Sequence, residues 1–241
     1  SIGGVMPEKG PVCLITGLGD GTGGACARRF AAGGYRIAML ARTKERLDRF
    51  EVELEGSRGY QCNVMDLDHL TETAERVAVE MGAPEVVIHN AAGGSFQSFL
   101  GDKPEHLERN FRINTTALLY IARATAPAMI EAGKGAIIVT GNTSAIRGKA
   151  NYALFAPTKA AQRILAQSMA RDLGPKGVHV AYVLIDARID TPWTRHLAPS
   201  DKPDDYFCKP PAIAETIYHV AHQERSAWTF DVDLRPFGEV W

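Results

Sequence analysis

The stretch Pro11-Val12-Cys13-Leu14-Ile15-Thr16-Gly17-Leu18-Gly19-Asp20-Gly21-Thr22-Gly23-Gly24 decides the fold. Its first six residues form a mostly apolar run that stops at glycines, which reads as a short strand buried in a parallel sheet. Ala25 to Ala32 has helical character and ends at Gly33-Gly34, and Tyr35 to Ala41 reads as a second strand. Strand, glycine-rich turn, helix and strand fit within about 30 residues, the size of one βαβ unit. Glycine permits the tight turn and lets the backbone approach a pyrophosphate. The helix N-terminus behind it offers free N–H groups and partial positive charge. Gly17-x-x-x-Gly21-x-Gly23, with Gly19, Asp20 and Thr22 inside it, therefore points to nucleotide binding rather than a bare turn.

The pattern continues along the chain. Helices are expected over Thr43–Leu54, Asp68–Met81, Pro104 to about Ala132 as one long element, Thr158–Leu173 and Ile213–His222. Strands are expected over Gly59–Cys62, Pro84–His89, Gly135–Thr140, Val178–Ile185 and Trp228–Leu234. Strands alternating with helices of this length imply an α/β Rossmann fold, a doubly wound parallel sheet of about seven strands covered on both faces. No repeat, linker or charge block divides the chain, so residues 11–241 are expected to form one domain behind a loose segment, 1–10. The proline-rich stretch 191–211 has no strong period and follows a strand end. Such a stretch is expected to cover a substrate, a plain surface loop being the alternative.

Charge is balanced, with 27 basic and 28 acidic residues, which argues against nucleic-acid or membrane-surface binding. Cys13, Cys26, Cys62 and Cys208 are scattered and form no C-x-x-C, as expected of free thiols in a reducing, cytoplasmic setting. No apolar run is long enough for a membrane span. His219-x-x-His222 has helical spacing but no third ligand, and no metal site is expected.

The second strand ends Ala41-Arg42-Thr43, with no acid to hydrogen-bond a ribose. Arg42 suits a 2′-phosphate, which favours NADP(H) while leaving NAD(H) possible. Asp20 pulls the other way, and Arg42 as a solvated helix-start residue stays open.

Thr16-Gly17-x-x-x-Gly21-x-Gly23 resembles the signature of the short-chain dehydrogenase/reductase family, and further motifs follow in that family's order to the C-terminus. The resemblance implies a nicotinamide-dependent oxidoreductase acting on a small molecule. It implies adenine contacts from Asn63 and Val64, a cofactor lining from Asn90 and Ala91, and carboxamide contacts from Ile189 and Thr191. It places Asn114 in a proton relay, and Lys159 on the nicotinamide ribose. His89, in place of the family's first Asn of the Asn-Asn-Ala-Gly turn, reads as a satisfied structural histidine. Pocket walls are expected from Gly94, Ser95, Phe96, Tyr152, Trp193 and Tyr206. The family's helix pairing implies a homodimer or homotetramer, with the tail ending at Trp241 docked on a partner.

The departures lie at the centre. The family's proton-donating Tyr stands four residues before the Lys; here that residue is Phe155. The family's substrate-orienting Ser is replaced by Asn142, whose amide can still hydrogen-bond a carbonyl. Phenylalanine cannot donate a proton, and general acid help is typically worth about 10²–10⁴ in rate. Tyr152, Tyr206, Thr143, Ser144 and Lys159 through water are the possible replacements. The alternatives are a substrate that needs no acid, such as a protonated iminium, or a protein that binds NADP without turnover as a sensor or partner subunit.

Overall fold

The computed structural model describes residues 10–197 and 201–239; residues 1–9 of the expected loose segment 1–10, Pro199 and the tail end at Trp241 lie outside them. Strands β1 (Val12–Thr16), β2 (Arg36–Ala41), β3 (Arg58–Gln61), β4 (Val86–His89), β5 (Gly135–Asn142) and β6 (Val178–Ile185) belong to one parallel sheet. The last strand of that sheet is the C-terminal one, Asp231–Leu234, and the order is β3-β2-β1-β4-β5-β6 and then this strand. The sequence reverses direction across β1 and β4, so a crevice opens beyond their carboxyl ends.

Period-two alternation divides the core between the two faces. Leu14, Leu40, Val87, Ile137 and Val139 point to one side, where they meet Leu70 and Val77 of α3 (Leu67–Glu80) and Leu118 and Ile121 of a later helix. Ile15, Met39, Ile88, Ile138 and Val183 point to the other. There they meet Phe30 of α1 (Thr22–Ala32) and Phe50 of α2 (Lys44–Glu53), together with Ile213 and Ile217 of the last helix, Pro210–Ala221.

The expected helix from Pro104 to Ala132 is interrupted. It runs as α4 (Glu105–Phe111), a π turn over Arg112–Thr116, and α5 (Ala117–Ala132). A π turn widens the helix locally and changes which carbonyls are satisfied within it. Here the side chain of Gln162, from α6 (Ala156–Leu173), donates to the Asn114 carbonyl at 2.7 Å and accepts from the Tyr182 hydroxyl at 3.0 Å. The stretch expected to lack structure contains short elements. β7 (Arg188–Ile189) pairs with β8 (Phe207–Cys208) around α7 (Pro192–Leu197).

A polar stitch ties the carboxyl ends of β1, β4 and β5. Thr16 stands opposite His89 in register. Its hydroxyl lies 2.9 Å from His89 Nδ1 and accepts from the backbone N–H of Asn90 at 3.1 Å. Asn90 Nδ2 donates to the Gly17 carbonyl, and its Oδ1 accepts from the Thr140 hydroxyl at 2.8 Å. His89 Nε2 completes the set by donating to the Ile113 carbonyl at 3.1 Å, so both ring nitrogens are satisfied.

Burial, with the positive charge of Lys159 nearby, lowers the His89 pKa to about 4. Folding therefore favours neutral His89. Its contribution is fully present above pH 6.5 and is lost as pH falls through the unfolded value towards 4. By pH 5 the loss amounts to about 2 kcal/mol. His89→Asn, which does not titrate, should flatten the fall in urea midpoint between pH 7 and pH 5. An equal fall in both proteins would rule out this account of His89.

Candidate active site

A cleft of about 1010 Å³ opens at the carboxyl ends of the strands. One end is built by the glycine turn and the ends of β2 and β3. Gly17 has φ of +65°, and a Cβ there would lie 2.5 Å from the backbone nitrogen of Ala91. Only glycine lets the turn fold this closely against the end of β4. Gly17, Gly19, Asp20, Gly21, Thr22 and Gly23 all line the cleft. Arg42 is exposed on its rim, and Arg46, four residues later in α2, is half-buried beside it. Neither is in an ion pair among the described residues. Asp20 is engaged by Arg49, which offsets the negative charge that its position would otherwise bring. Arg46 was not singled out from sequence; its signal was a place in the first turn of the helix that follows β2. Val64 and Asn63 line the same end, and the Asn63 side-chain oxygen already accepts from the Met65 N–H at 3.1 Å.

The opposite end is aromatic. Phe96, Tyr152 and Phe155 line the wall beside Asn142, Thr143 and Ser144. The ring centroids of Phe96 and Tyr152 lie 5.0 Å apart, as do those of Phe96 and Phe155, with Tyr152 and Phe155 at 6.3 Å. Gly94 makes room for this cluster, since a Cβ there would lie 2.8 Å from the Phe96 ring. Pro157 falls in the first turn of α6, so Tyr152 precedes the helix. Asn142 Oδ1 accepts from the Ser144 N–H at 3.0 Å and so caps a 3₁₀ turn.

Two of the expected site residues stand behind the wall rather than on it. Lys159 is 2% exposed and does not border the cleft. Its Nζ donates to the Thr140 carbonyl at 3.2 Å. Burial lowers its pKa to about 7. Asn114 is fully buried, donating to the Gly93 carbonyl and the Thr158 hydroxyl and accepting from the Gly93 N–H. It fastens the turn after β4 to α6. Gly94 and Ser95 also miss the wall: Ser95 is buried and accepts from Asn110.

Described residues of the 191–211 segment border a third side. Ile189, Thr191, Trp193 and Tyr206 border the cleft. Trp193 approaches to 3.7 Å and Thr191 to 3.3 Å of where a Gly21 Cβ would stand, so the segment packs on the glycine turn. Thr191 and Thr194 are joined through their hydroxyls at 2.7 Å, and Arg195 pairs with Asp190 and Asp204. Lys149, Asp186, Arg188 and Glu239, ionisable groups not singled out as site residues, also line the walls. Among the described residues no cluster of ligating side chains could hold a metal. No helix among them is long and apolar enough to cross a membrane. His222 is occupied by Tyr35 and the Tyr218 carbonyl.

Comparison with known proteins agrees with this architecture. Residues 11–201 match the family model described as short chain dehydrogenase. The chain is 29% identical to a 3-oxoacyl-acyl-carrier-protein reductase of Thermotoga maritima, over 94% of this chain and 96% of that protein. It is 33% identical to a D-erythrulose reductase of Gallus gallus, over 71% of this chain and 69% of that one. Among solved structures, a metagenomic short-chain oxidoreductase in complex with NADP superposes with a TM-score of 0.83 at 26% identity. That match covers 96% of this chain and 99% of the other. A short-chain dehydrogenase from Rhodopseudomonas palustris gives a TM-score of 0.80 at 28% identity, covering 94% and 99%. The strand order, the glycine turn and these matches together make the chain a member of the short-chain dehydrogenase family.

Proposed function

We propose that the protein is an NADP(H)-dependent oxidoreductase that reduces a small carbonyl, imine or enone, with an atypical proton-delivery site. The observation that carries the cofactor assignment is the pairing of a glycine turn that a single Cβ would obstruct with two uncommitted arginines at the β2 end. Arg42 and Arg46 suit a 2′-phosphate through charge-assisted hydrogen bonds. The N–H groups opening α1 suit a pyrophosphate, since Gly21 at its N-cap makes no side-chain cap. Asn90 and Ala91 would flank the nicotinamide end, with Ile189 and Thr191 opposite. A relative at 26% identity was solved with NADP, in line with this reading.

When bound, the cofactor supplies a hydride. The chain's own part is to orient the acceptor and exclude water. Asn142 would present its side-chain N–H groups to the substrate, its oxygen being held by Ser144. Trp193 and Tyr206 would cover the acceptor from the 191–211 segment. Phe155 contributes shape but no proton. Tyr152, Lys149, Thr143 and Ser144 are wall residues with an exchangeable proton on the same side. The named relatives are reductases, so they lend no weight to cofactor binding without turnover. A homodimer or homotetramer through α5 and α6 belongs to the same proposal, and a monomer in sedimentation at micromolar concentration would refute it.

Two outcomes are expected. Arg42→Ala/Arg46→Ala should weaken NADPH binding by about tenfold or more while changing NADH binding little, as read by cofactor fluorescence titration. An equal loss for both cofactors would contradict the 2′-phosphate assignment. Phe155→Tyr should raise ketone reduction, followed at 340 nm, by about tenfold or more. No gain in a folded variant that still binds NADPH would show that the missing phenol is not what limits it.

A further inference from the structure

We propose that the acceptor is a preformed iminium cation, held against the Phe96–Tyr152–Phe155 cluster, rather than a neutral ketone. This rests on the NADP(H) reading above and names the substrate class for the same cleft. Three features converge on it.

The first is the chemistry of the wall. Three mutually tilted aromatic rings, at interplanar angles of 62°, 70° and 52°, occupy the reaction end. Aromatic faces attract a cation, by about 0.5–2 kcal/mol each depending on desolvation. Phe155 is only 4% exposed, so part of this surface is dry.

The second is charge bookkeeping in the step itself. Reducing a ketone would create an alkoxide beside an oxidised, positively charged nicotinamide, a separation of charge that low-dielectric aromatic surroundings resist unless a proton arrives. An iminium acceptor only shifts a charge. Its carbon takes up a hydride with both electrons, the C=N π pair withdraws onto nitrogen as a lone pair, and the reduced nicotinamide becomes oxidised. One cation is present before and after. No proton enters, and the product is an amine.

The third is the retreat of the lysine. Lys159 lies behind the wall with its ammonium on the Thr140 carbonyl, so it brings no hydrogen bond to the substrate side. The other ionisable groups bordering this half of the cleft are Lys149, Arg188, Asp186 and Glu239. Lys149 and Arg188 are exposed at the rim, and Asp186 is engaged by Arg147 and Arg235. Glu239 is half-buried and in no ion pair among the described residues, and its carboxylate suits a cation.

The test compares binding and turnover in the full-length protein. NADPH is titrated first. The NADPH-loaded protein is then titrated with N,N-dimethyl-1,2,3,4-tetrahydroisoquinolinium, a cation that cannot be reduced, and with its neutral carbon isostere. The cation should bind about tenfold tighter, and Phe96→Leu or Phe155→Leu should remove most of that preference. Phe96 is exposed, so its variant keeps the comparison usable if the buried Phe155 variant fails to fold. In turnover, N-methyl-3,4-dihydroisoquinolinium should be reduced at least about a hundredfold faster than 1-tetralone. Equal binding of the cation and its isostere, or faster reduction of the ketone, would overturn the inference and leave the cofactor reading standing. Failure to bind NADPH at all would instead overturn the reading beneath it.

Discussion

The Thr16 hydroxyl is the point from which the rest of the structure is set. It sits where β1 ends, accepts from the backbone N–H of Asn90, and touches the His89 ring. Asn90 then reaches back to the Gly17 carbonyl and across to Thr140, so the ends of β1, β4 and β5 are fixed by side chains as well as by the sheet ladder. Inside a protein each such bond is stronger than in water, and each member left unpaired would be costly. The glycine turn can fold closely against Ala91 only because these ends cannot splay, and the cleft takes its shape from that junction.

From there the site grows in two directions with opposite character. Towards β2 and β3 it is a polar trough with two arginines and helix N–H groups, chemistry suited to a phosphorylated nucleotide. Towards β5 and α6 it is an aromatic wall. The boundary between them runs through Asn142, whose oxygen is committed to a turn while its N–H groups stay available. Behind the wall, Asn114, Thr158, Gln162 and Tyr182 form a continuous buried network. That network holds the π turn and α6 together and stiffens the floor on which Phe155 rests.

Much of this was legible in the chain. The apolar runs and glycine turn gave the parallel sheet, because a strand buried on both faces has no other pattern. Pro157 marked the first turn of α6, which begins at Ala156, two residues before the expected Thr158, and Phe155 and Asn142 stood out by their spacing from Lys159. Other features depend on long-range contacts that no local pattern carries. Within the π turn Asn114 reaches both Gly93 and Thr158, residues 21 and 44 positions away. The burial of Lys159 behind the wall rests on a carbonyl of β5, 19 positions away. Gly94 and Ser95 follow β4 in sequence, yet one accommodates an aromatic ring and the other faces Asn110. The β7–β8 pair is too short, at two residues each, to leave a periodic signal.

The central claim is that hydride transfer geometry has been kept while the proton donor has been removed. Isotope effects address it most directly. Single turnovers with NADPH deuterated at the transferring position, run in H₂O and in D₂O, separate the two events. The account predicts a clear primary effect from the labelled cofactor and a solvent effect near unity with the iminium acceptor. A solvent effect as large as the primary one would place a proton in flight with the hydride, delivered by one of the wall groups around Phe155, such as Tyr152 or Lys149.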